Sequence, residues 1–202
     1  MSDEELTFRI RRIYAAIDAA EERNLSALAA RVFTSGKSFG VYQDFSGGLK
    51  NEDIANLAIS LIDNIAKLRA HLLMWADRKG KDKSIVQEAF KASFPLQVIT
   101  DLSNYDKHPY PPRDQGYSRR SPKLIKTRRV LRMTTEEKKS SVVGITLAPD
   151  GTPKKLGSGS ARAIVTGEVV DDKGEKIGEL YDLARKAVDD WIGVAKRLDA
   201  LS

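Results

Sequence analysis

The stretch that decides the fold is NEDIANLAISLIDNIAKLRAHLLMWADRKG, residues 51–80. Its apolar residues recur every three or four positions, which places them on one face of a helix. Asn51 can cap the first turn, and Gly80 ends the pattern. The pattern predicts one amphipathic helix of about 28 residues and about 40 Å, against which other elements pack. The apolar face consists of Ile54, Leu57, Ala58, Leu61, Ile62, Ile65, Leu68, Leu72 and Trp75.

Helical patterns lie on both sides of this stretch. Upstream, an apolar stripe begins at Leu6 and can continue as far as Val32; residues 36–48 then combine glycines with aromatic residues and predict a packed loop. Downstream, Ser84 and Gln87 have the spacing of a capping box for a short helix. A further helix is predicted from Pro95 toward His108, because proline favours a first turn and Pro109 ends the pattern.

After residue 109 the sequence favours β-structure. Several prolines and a glycine predict an extended connector, and three runs rich in alternating apolar residues predict strands at residues 126–134, 141–147 and 161–170. A last apolar stripe runs from Leu180 to Leu201 and includes Trp191. This stripe predicts a C-terminal amphipathic helix.

The order of these elements predicts an α+β fold that is mainly α. We expect a helical bundle with an inserted small antiparallel β-sheet and a C-terminal helix that returns to the bundle. Residues 1–202 would form a single domain, with the bundle part at 1–108, a basic connector and β insert at 109–176, and the C-terminal helix at 177–202. Two domains divided near residue 110 are the alternative, which the small size of the β part disfavours.

Composition excludes several classes of site. The chain has no cysteine, which rules out disulfides, thiolate metal sites and cysteine nucleophiles. Only two histidines are present, so we expect no metal and no cofactor. The N-terminus is acidic and lacks the features of a signal peptide, and no apolar run reaches the length of a membrane span. We therefore expect a cytoplasmic protein without a membrane partner.

The positive charge of the chain is concentrated in one block. Residues 102–135 contain nine cations and two acids, whereas the whole chain has a net charge of +6. Tyr105, Tyr110 and Tyr117 are interleaved with the cations, so phosphates would be neutralised while the rings stack on bases. The alternative is a solvated surface that prevents aggregation between strands. The predicted nucleic-acid-binding residues are Lys107, Arg113, Arg119, Arg120, Lys123, Lys126, Arg128, Arg129 and Arg132.

A polar stripe ends the helix that begins near Pro95. At about 100° per residue, Asp101, Asn104 and His108 lie on one stripe beside the apolar face. A half-buried imidazole titrates near neutral pH, and a nearby carboxylate or amide can fix its tautomer, which suits general acid–base catalysis. These three are the predicted catalytic residues. They equally suit a helix end at which polar side chains satisfy backbone carbonyls.

With this helix end the chain resembles the HEPN superfamily of helical bundles, whose members include RNA-cleaving toxins and nucleotide-binding proteins. The family motif is Arg-Asn-x-x-x-His or a near variant; Asn104 and His108 match its second and last positions, and Ser103 stands at the arginine. The resemblance implies that the histidine acts on the RNA backbone. A serine cannot supply a fixed charge to a phosphate, so Arg69, Arg113 or Arg119 would have to replace the arginine.

The chain also resembles bacterial proteins of unknown function in which Asn-x-x-Lys-His precedes a β-rich insert and a final helix with a tryptophan. Asn104, Lys107, His108 and Trp191 carry this resemblance, which implies no activity. Two functions follow as hypotheses. The first is a HEPN-like protein that binds RNA or a nucleotide, with a degenerate, metal-independent ribonuclease as its catalytic form. The second is a non-catalytic interaction protein whose β insert or bundle face pairs with another chain, for example with a second copy of itself in a homodimer.

Overall fold

The computed structural model describes residues 2–28, 30–35, 38–107, 115–137, 140–148 and 152–200. Within them lie five α-helices: α1 (Asp3–Ala20), α2 (Asn51–Arg78), α3 (Ser84–Ala92), α4 (Phe94–Lys107) and α5 (Leu180–Arg197). The strands are β1 (Glu21–Glu22), β2 (Ala30–Ser35), β3 (Ser38–Gln43), β4 (Lys123–Thr134), β5 (Gly144–Leu147), β6 (Pro153–Leu156), β7 (Ser160–Val170) and β8 (Lys176–Glu179).

The α2 helix is the centre of the bundle, as its long apolar pattern predicts. It packs against α1, α4 and α5. At the start of α1, the carboxylate of Asp3 accepts hydrogen bonds from Trp75 Nε1 and Lys79 Nζ, both at 2.8 Å, near the end of α2. The two helices therefore run antiparallel. No helix in the described part of the chain is long and apolar enough to cross a membrane.

The C-terminal helix returns to the bundle, which confirms the prediction. Trp191 of α5 is 1% exposed, and its Nε1 donates to the backbone oxygen of Ile65 in α2 at 3.2 Å. Val165 and Val169 of β7 belong to the same hydrophobic core as the helices. The sheet therefore packs directly on the bundle. The fold is α+β and mainly α, as expected.

The main sheet has β7 at its centre. β4 pairs antiparallel with one edge of β7, and β1 and β8 pair antiparallel with the other. The register of β4 against β7 places Val130 opposite Ile164 and shifts between Ile125 and Arg128, which marks a bulge. Two separate hairpins, β2–β3 and β5–β6, complete the β-structure of the described residues.

A buried carboxylate joins β1 to β7 and α5. The Glu21 side chain is 1% exposed and accepts hydrogen bonds from the Tyr181 hydroxyl at 2.8 Å and from Arg162 Nη1 at 2.9 Å. Burial alone would raise the pKa of Glu21. The hydrogen bonds from Tyr181 and Arg162 and the charge of Arg162 outweigh that effect, so the pKa of Glu21 is lowered. The carboxylate is therefore held in its charged form.

The structure corrects the predicted helix between residues 21 and 32. The helix ends at Ala20, and β1, a turn of 3₁₀-helix (Leu25–Ala27) and β2 follow. Leu25 and Leu28 are buried against Ala163 of β7, so their spacing serves contacts with the sheet and not a continuing helix. The predicted loop at 36–48 contains β3 instead, in a segment whose β-branched and aromatic residues favour a strand.

Two predicted helix caps are also wrong. Asn51 is the first residue of α2, and the cap contact comes from Asp53, whose carboxylate accepts the backbone N–H of Lys50 at 3.1 Å. Ser84 does not form a capping box with Gln87. Its backbone N–H and hydroxyl both donate to the Asp82 carboxylate, at 2.8 and 2.6 Å, because an aspartate two residues earlier reaches the same groups in an Asx turn.

The predicted strands are present with small differences in length. The run at 126–134 begins earlier, at Lys123, and the run at 141–147 begins later, at Gly144. β1, β6 and β8 are additional. They are two to four residues long and exist through pairing with β5 or β7, so their own sequences carry little signal.

Candidate nucleic-acid interface

A turn at residues 115–121 is fixed to α4 by one buried carboxylate. Asp101 accepts the backbone N–H groups of Tyr117 at 2.9 Å and Ser118 at 2.8 Å, and the Ser118 hydroxyl at 2.6 Å. Gly116 has φ +76°, and a Cβ there would lie 2.6 Å from this carboxylate, so only glycine permits the approach. Asp101 therefore positions the turn, a role that we did not predict from the sequence.

Anchoring the turn places Tyr117 on an aromatic stack. The Tyr117 ring meets the Phe90 ring edge-on, with centroids 5.0 Å apart and an interplanar angle of 85°, and Phe90 stacks on Trp191 at 6.4 Å. The Arg69 guanidinium lies 3.9 Å from the Phe90 centroid and 5.4 Å from the Tyr117 centroid. Tyr117 nevertheless remains 51% exposed. The ring is therefore held by Phe90 and Arg69, and half of the residue's surface is exposed.

Most of the described cations of the basic block form an ion pair or a hydrogen bond with another part of the protein. Of the nine cations, Lys107 has no described side chain, and Arg113 lies outside the described residues. Four others bind carboxylates of the β7–α5 region, and a fifth, Arg129, donates to the backbone oxygen of Ser46 at 3.1 Å. The four ion pairs are Arg120–Asp171 at 3.5 Å, Lys126–Glu168 at 2.9 Å, Arg128–Glu179 at 3.1 Å and Arg132–Asp182 at 2.6 Å.

Two of the acids in these pairs, Glu168 and Glu179, have lowered pKa values. The hydrogen bond from Lys126 lowers the pKa of Glu168, against a smaller opposing effect of burial. Burial raises the pKa of Glu179, but Lys176 and Arg128 together lower it below its ordinary value. Both carboxylates therefore stay charged near neutral pH and screen their cations from an outside anion. The block is much less positive, as seen by a ligand, than its sequence indicates.

Arg119 and Lys123 are the described cations of the block without such a carboxylate. Arg119 is exposed, in the tight turn with φ +58°; its backbone N–H donates to the Gly116 oxygen at 3.4 Å, and its side chain has no hydrogen bond or ion pair to any described residue. Lys123 Nζ lies 5.8 Å from the centre of the Tyr105 ring. We call the surface made by Tyr105, Tyr117, Arg119 and Lys123 the α4–β4 face, because it joins the end of α4 to the start of β4.

A cavity of about 270 Å³ opens beside this face. Tyr105 lines it, together with residues of α2 and β4. On its wall the Ser103 hydroxyl donates to Asp63 Oδ1 at 2.6 Å, and Ser103 is 2% exposed. Ser103, which stands where the HEPN motif has its arginine, is thus buried and hydrogen-bonded to α2. In the HEPN-like hypothesis, the arginine that contacts the phosphate would have to come from another element.

The predicted catalytic residues do not share one environment. Asp101 is buried and engaged by the turn, whereas Asn104 is exposed. His108 lies outside the described residues, so its catalytic role stays a prediction. Within the described residues, no group of three or more His, Asp or Glu side chains could hold a metal ion.

Part of the face could have been found from the sequence. Gly116 before Tyr117 is a turn signal, and an aromatic residue in a turn between helix and strand is a usual place for binding. The Asp101 contact had no such signal, because it joins residues 16 and 17 positions apart that come together only in the folded chain.

Comparisons with family models, with curated proteins and with solved structures found no match to this chain.

Proposed function

We propose that this chain binds single-stranded RNA, with a nucleotide as the smallest unit recognised, through the α4–β4 face. The carrying observation is Tyr117, an aromatic ring held rigidly by Phe90 and the Asp101-bound turn but half exposed. A base stacks on such a ring without a large loss of side-chain entropy. Arg119, two residues away and without a described carboxylate partner, supplies a charge for the adjacent phosphate.

The order of the two rings along the chain supports a single strand as the ligand. Asp101 and Tyr105 are one helical turn apart on α4, so the anchored turn and the Tyr105–Lys123 pair lie along the same side of the helix. Tyr105 lies beside Lys123, and Arg119 follows Tyr117 by two residues, so each ring has a cation for the phosphate next to its base. The resemblance of Asn104 and His108 to the HEPN motif supports RNA as the ligand.

Loss of the exposed ring should weaken RNA binding strongly. Stacking contributes about 1–3 kcal/mol per base, so Tyr117→Ala should lower the affinity for a single-stranded oligoribonucleotide by about 5- to 150-fold in a fluorescence anisotropy titration. Arg119→Gln should reduce the affinity less and should make the salt dependence shallower by about 0.7 in slope, since one phosphate contact is lost.

The matched control for Arg119→Gln is Arg132→Gln. It removes the same charge from the same block, but from a guanidinium that is bound to Asp182 at 2.6 Å. We expect its RNA affinity to stay within about twofold of the wild type. Equal losses in the two variants would show that RNA senses only net charge, and the α4–β4 face would then be the wrong site.

The catalytic form of the proposal depends on His108. As general base the imidazole would take the proton of a ribose 2′-hydroxyl that attacks the adjacent phosphate; as general acid it would give a proton to the 5′-oxygen that leaves as the P–O5′ bond breaks and a 2′,3′-cyclic phosphate forms. Asn104 would orient that phosphate. Since the imidazole contributes more to the transition state than to ground-state affinity, His108→Ala should abolish RNA cleavage and leave binding within about twofold. If purified wild-type protein cleaves no RNA, with divalent metal present or chelated, the function is binding alone.

A further inference from the structure

A second concentration of positive charge lies between α1 and α2, away from the basic block. A groove of about 370 Å³ is lined there by Arg9, Arg12, Asn64, Lys67, Ala70 and His71. Three of these side chains are permanent cations and one is an imidazole. Among the lining residues none is acidic. We call this surface the α1–α2 groove.

The cations of the α1–α2 groove are poorly matched inside the protein. Lys67 Nζ binds Asp63 Oδ2 at 2.8 Å, but Arg9 and Arg12 make no ion pair with any described residue. Arg9 Nε and His71 Nδ1 are buried and have no hydrogen-bond partner within the described part of the chain. Buried polar atoms are normally bonded, and like charges side by side repel. An anion in the groove would relieve both costs.

The state of His71 reflects the same surroundings. Burial lowers the pKa of His71, and the charges of Arg9 and Arg12 from α1 and of Lys67 from α2 lower it further. Glu5 of α1 opposes them. The imidazole is therefore neutral near pH 7 in the free protein. A bound anion would favour the imidazolium, so it would raise this pKa.

We infer that the α1–α2 groove binds a dianionic phosphate group, as inorganic phosphate or as the phosphate of a small monoester. Arginine forks match phosphate oxygens in pairs, and lysine and a protonated histidine add further charged donors. The groove would only bind the anion; no reaction is proposed there. The groove and the cavity beside Tyr105 are lined by different residues of α2, and the inference does not depend on the RNA-binding proposal.

Calorimetric titration with inorganic phosphate and with glycerol 3-phosphate, a monoester without a base that could stack on Tyr117, tests the inference. Arg12→Gln should weaken binding of both probes at least tenfold, and Arg9→Gln should do the same. Arg12 is exposed, so its variant keeps the test usable if loss of the partly buried Arg9 impairs folding. The matched control is Arg11→Gln, which removes an equal charge from an exposed α1 residue outside the groove and should change affinity less than twofold.

Nuclear magnetic resonance of the imidazoles gives a second readout. The chain has two histidines, so the His71→Gln variant assigns their signals. Sulfate, whose charge is constant near neutral pH, should raise the pKa of His71 and bind more tightly as pH falls through it, and this pH dependence should vanish in His71→Gln. Equal or tighter binding of inorganic phosphate assigns the free ion, and tighter binding of glycerol 3-phosphate assigns a monoester; either supports the site. No saturable binding, or equal weakening by Arg11→Gln and Arg12→Gln, overturns it.

Discussion

A chain that ends at residue 176 will not fold cooperatively. Such a fragment lacks α5 and all but the first residue of β8, and it exposes the part of the core that α5 covers. Truncating a buried tryptophan alone costs about 3–5 kcal/mol, and α5 also buries several aliphatic side chains, whereas a domain is stable by about 5–15 kcal/mol in total. We expect an aggregating or molten fragment in size-exclusion chromatography and no cooperative transition in thermal unfolding followed by circular dichroism.

Point variants of α5 separate packing from chain length. Trp191→Ala should lower the free energy of unfolding by about 3–5 kcal/mol, and Lys186→Ala, on the exposed side of the same helix, by less than about 0.5 kcal/mol. If fragment 1–176 is monomeric and unfolds cooperatively, α5 is peripheral to the fold. A self-associating protein that uses the uncovered surface would then be the better description of the chain.

Removal of the Asp101 carboxylate should damage stability and RNA binding together. Asp101→Ala leaves two backbone amides and the Ser118 hydroxyl without their acceptor in a largely buried place. Hydrogen bonds to a charged group contribute about 1.5–3 kcal/mol each and are not additive, so we expect a loss of about 3 kcal/mol. For a chain of this length, that corresponds to a fall in melting temperature of about 6–12 °C.

The same variant should lose RNA affinity about as much as Tyr117→Ala does, because the turn that places the ring is released. Binding must be measured below the melting temperature of the variant. Asp189→Ala removes an equal charge from an exposed position of α5 and serves as the control. A strongly destabilised Asp101→Ala protein with wild-type RNA affinity would show that the anchored turn supports the fold only. The α4–β4 face would then lose its central residue.

The bundle could be predicted because its signal is local. The apolar period of α2 and the stripe of α5 identify helices without any knowledge of their neighbours, and the burial of Trp75 and Trp191 follows from their places on those stripes. The residues after Ala20 have a similar apolar spacing, but there Glu21 pairs with β7 and Leu25 packs against it. Pairing with a strand about 140 residues later cannot be read from the segment itself.

The basic block shows the same limit for charge. Nine cations stand close together in sequence, and four of them bind acids that lie in β7, in the turn after it, in β8 and in α5, far away in the sequence. The block has an excess of positive charge in the sequence, but in the folded protein four of its cations form ion pairs with acids from other parts of the chain. The α1–α2 groove is the converse case. Arg9 and Arg12, with Lys67 and His71, are unremarkable on two separate helices and become a cluster only when the helices pack.

The salt dependence of RNA binding tests the central claim most directly. Each phosphate contact with a single strand changes the slope of log K against log salt by about −0.7. Arg119 and Lys123 are the described cations of the face, and Lys107 and Arg113 add at most two contacts. A fluorescence anisotropy series with a single-stranded oligoribonucleotide should therefore give saturable binding with a slope between about −1.4 and −2.8. A slope near −6, as nine free cations would give, or no saturable binding at low salt, would contradict it.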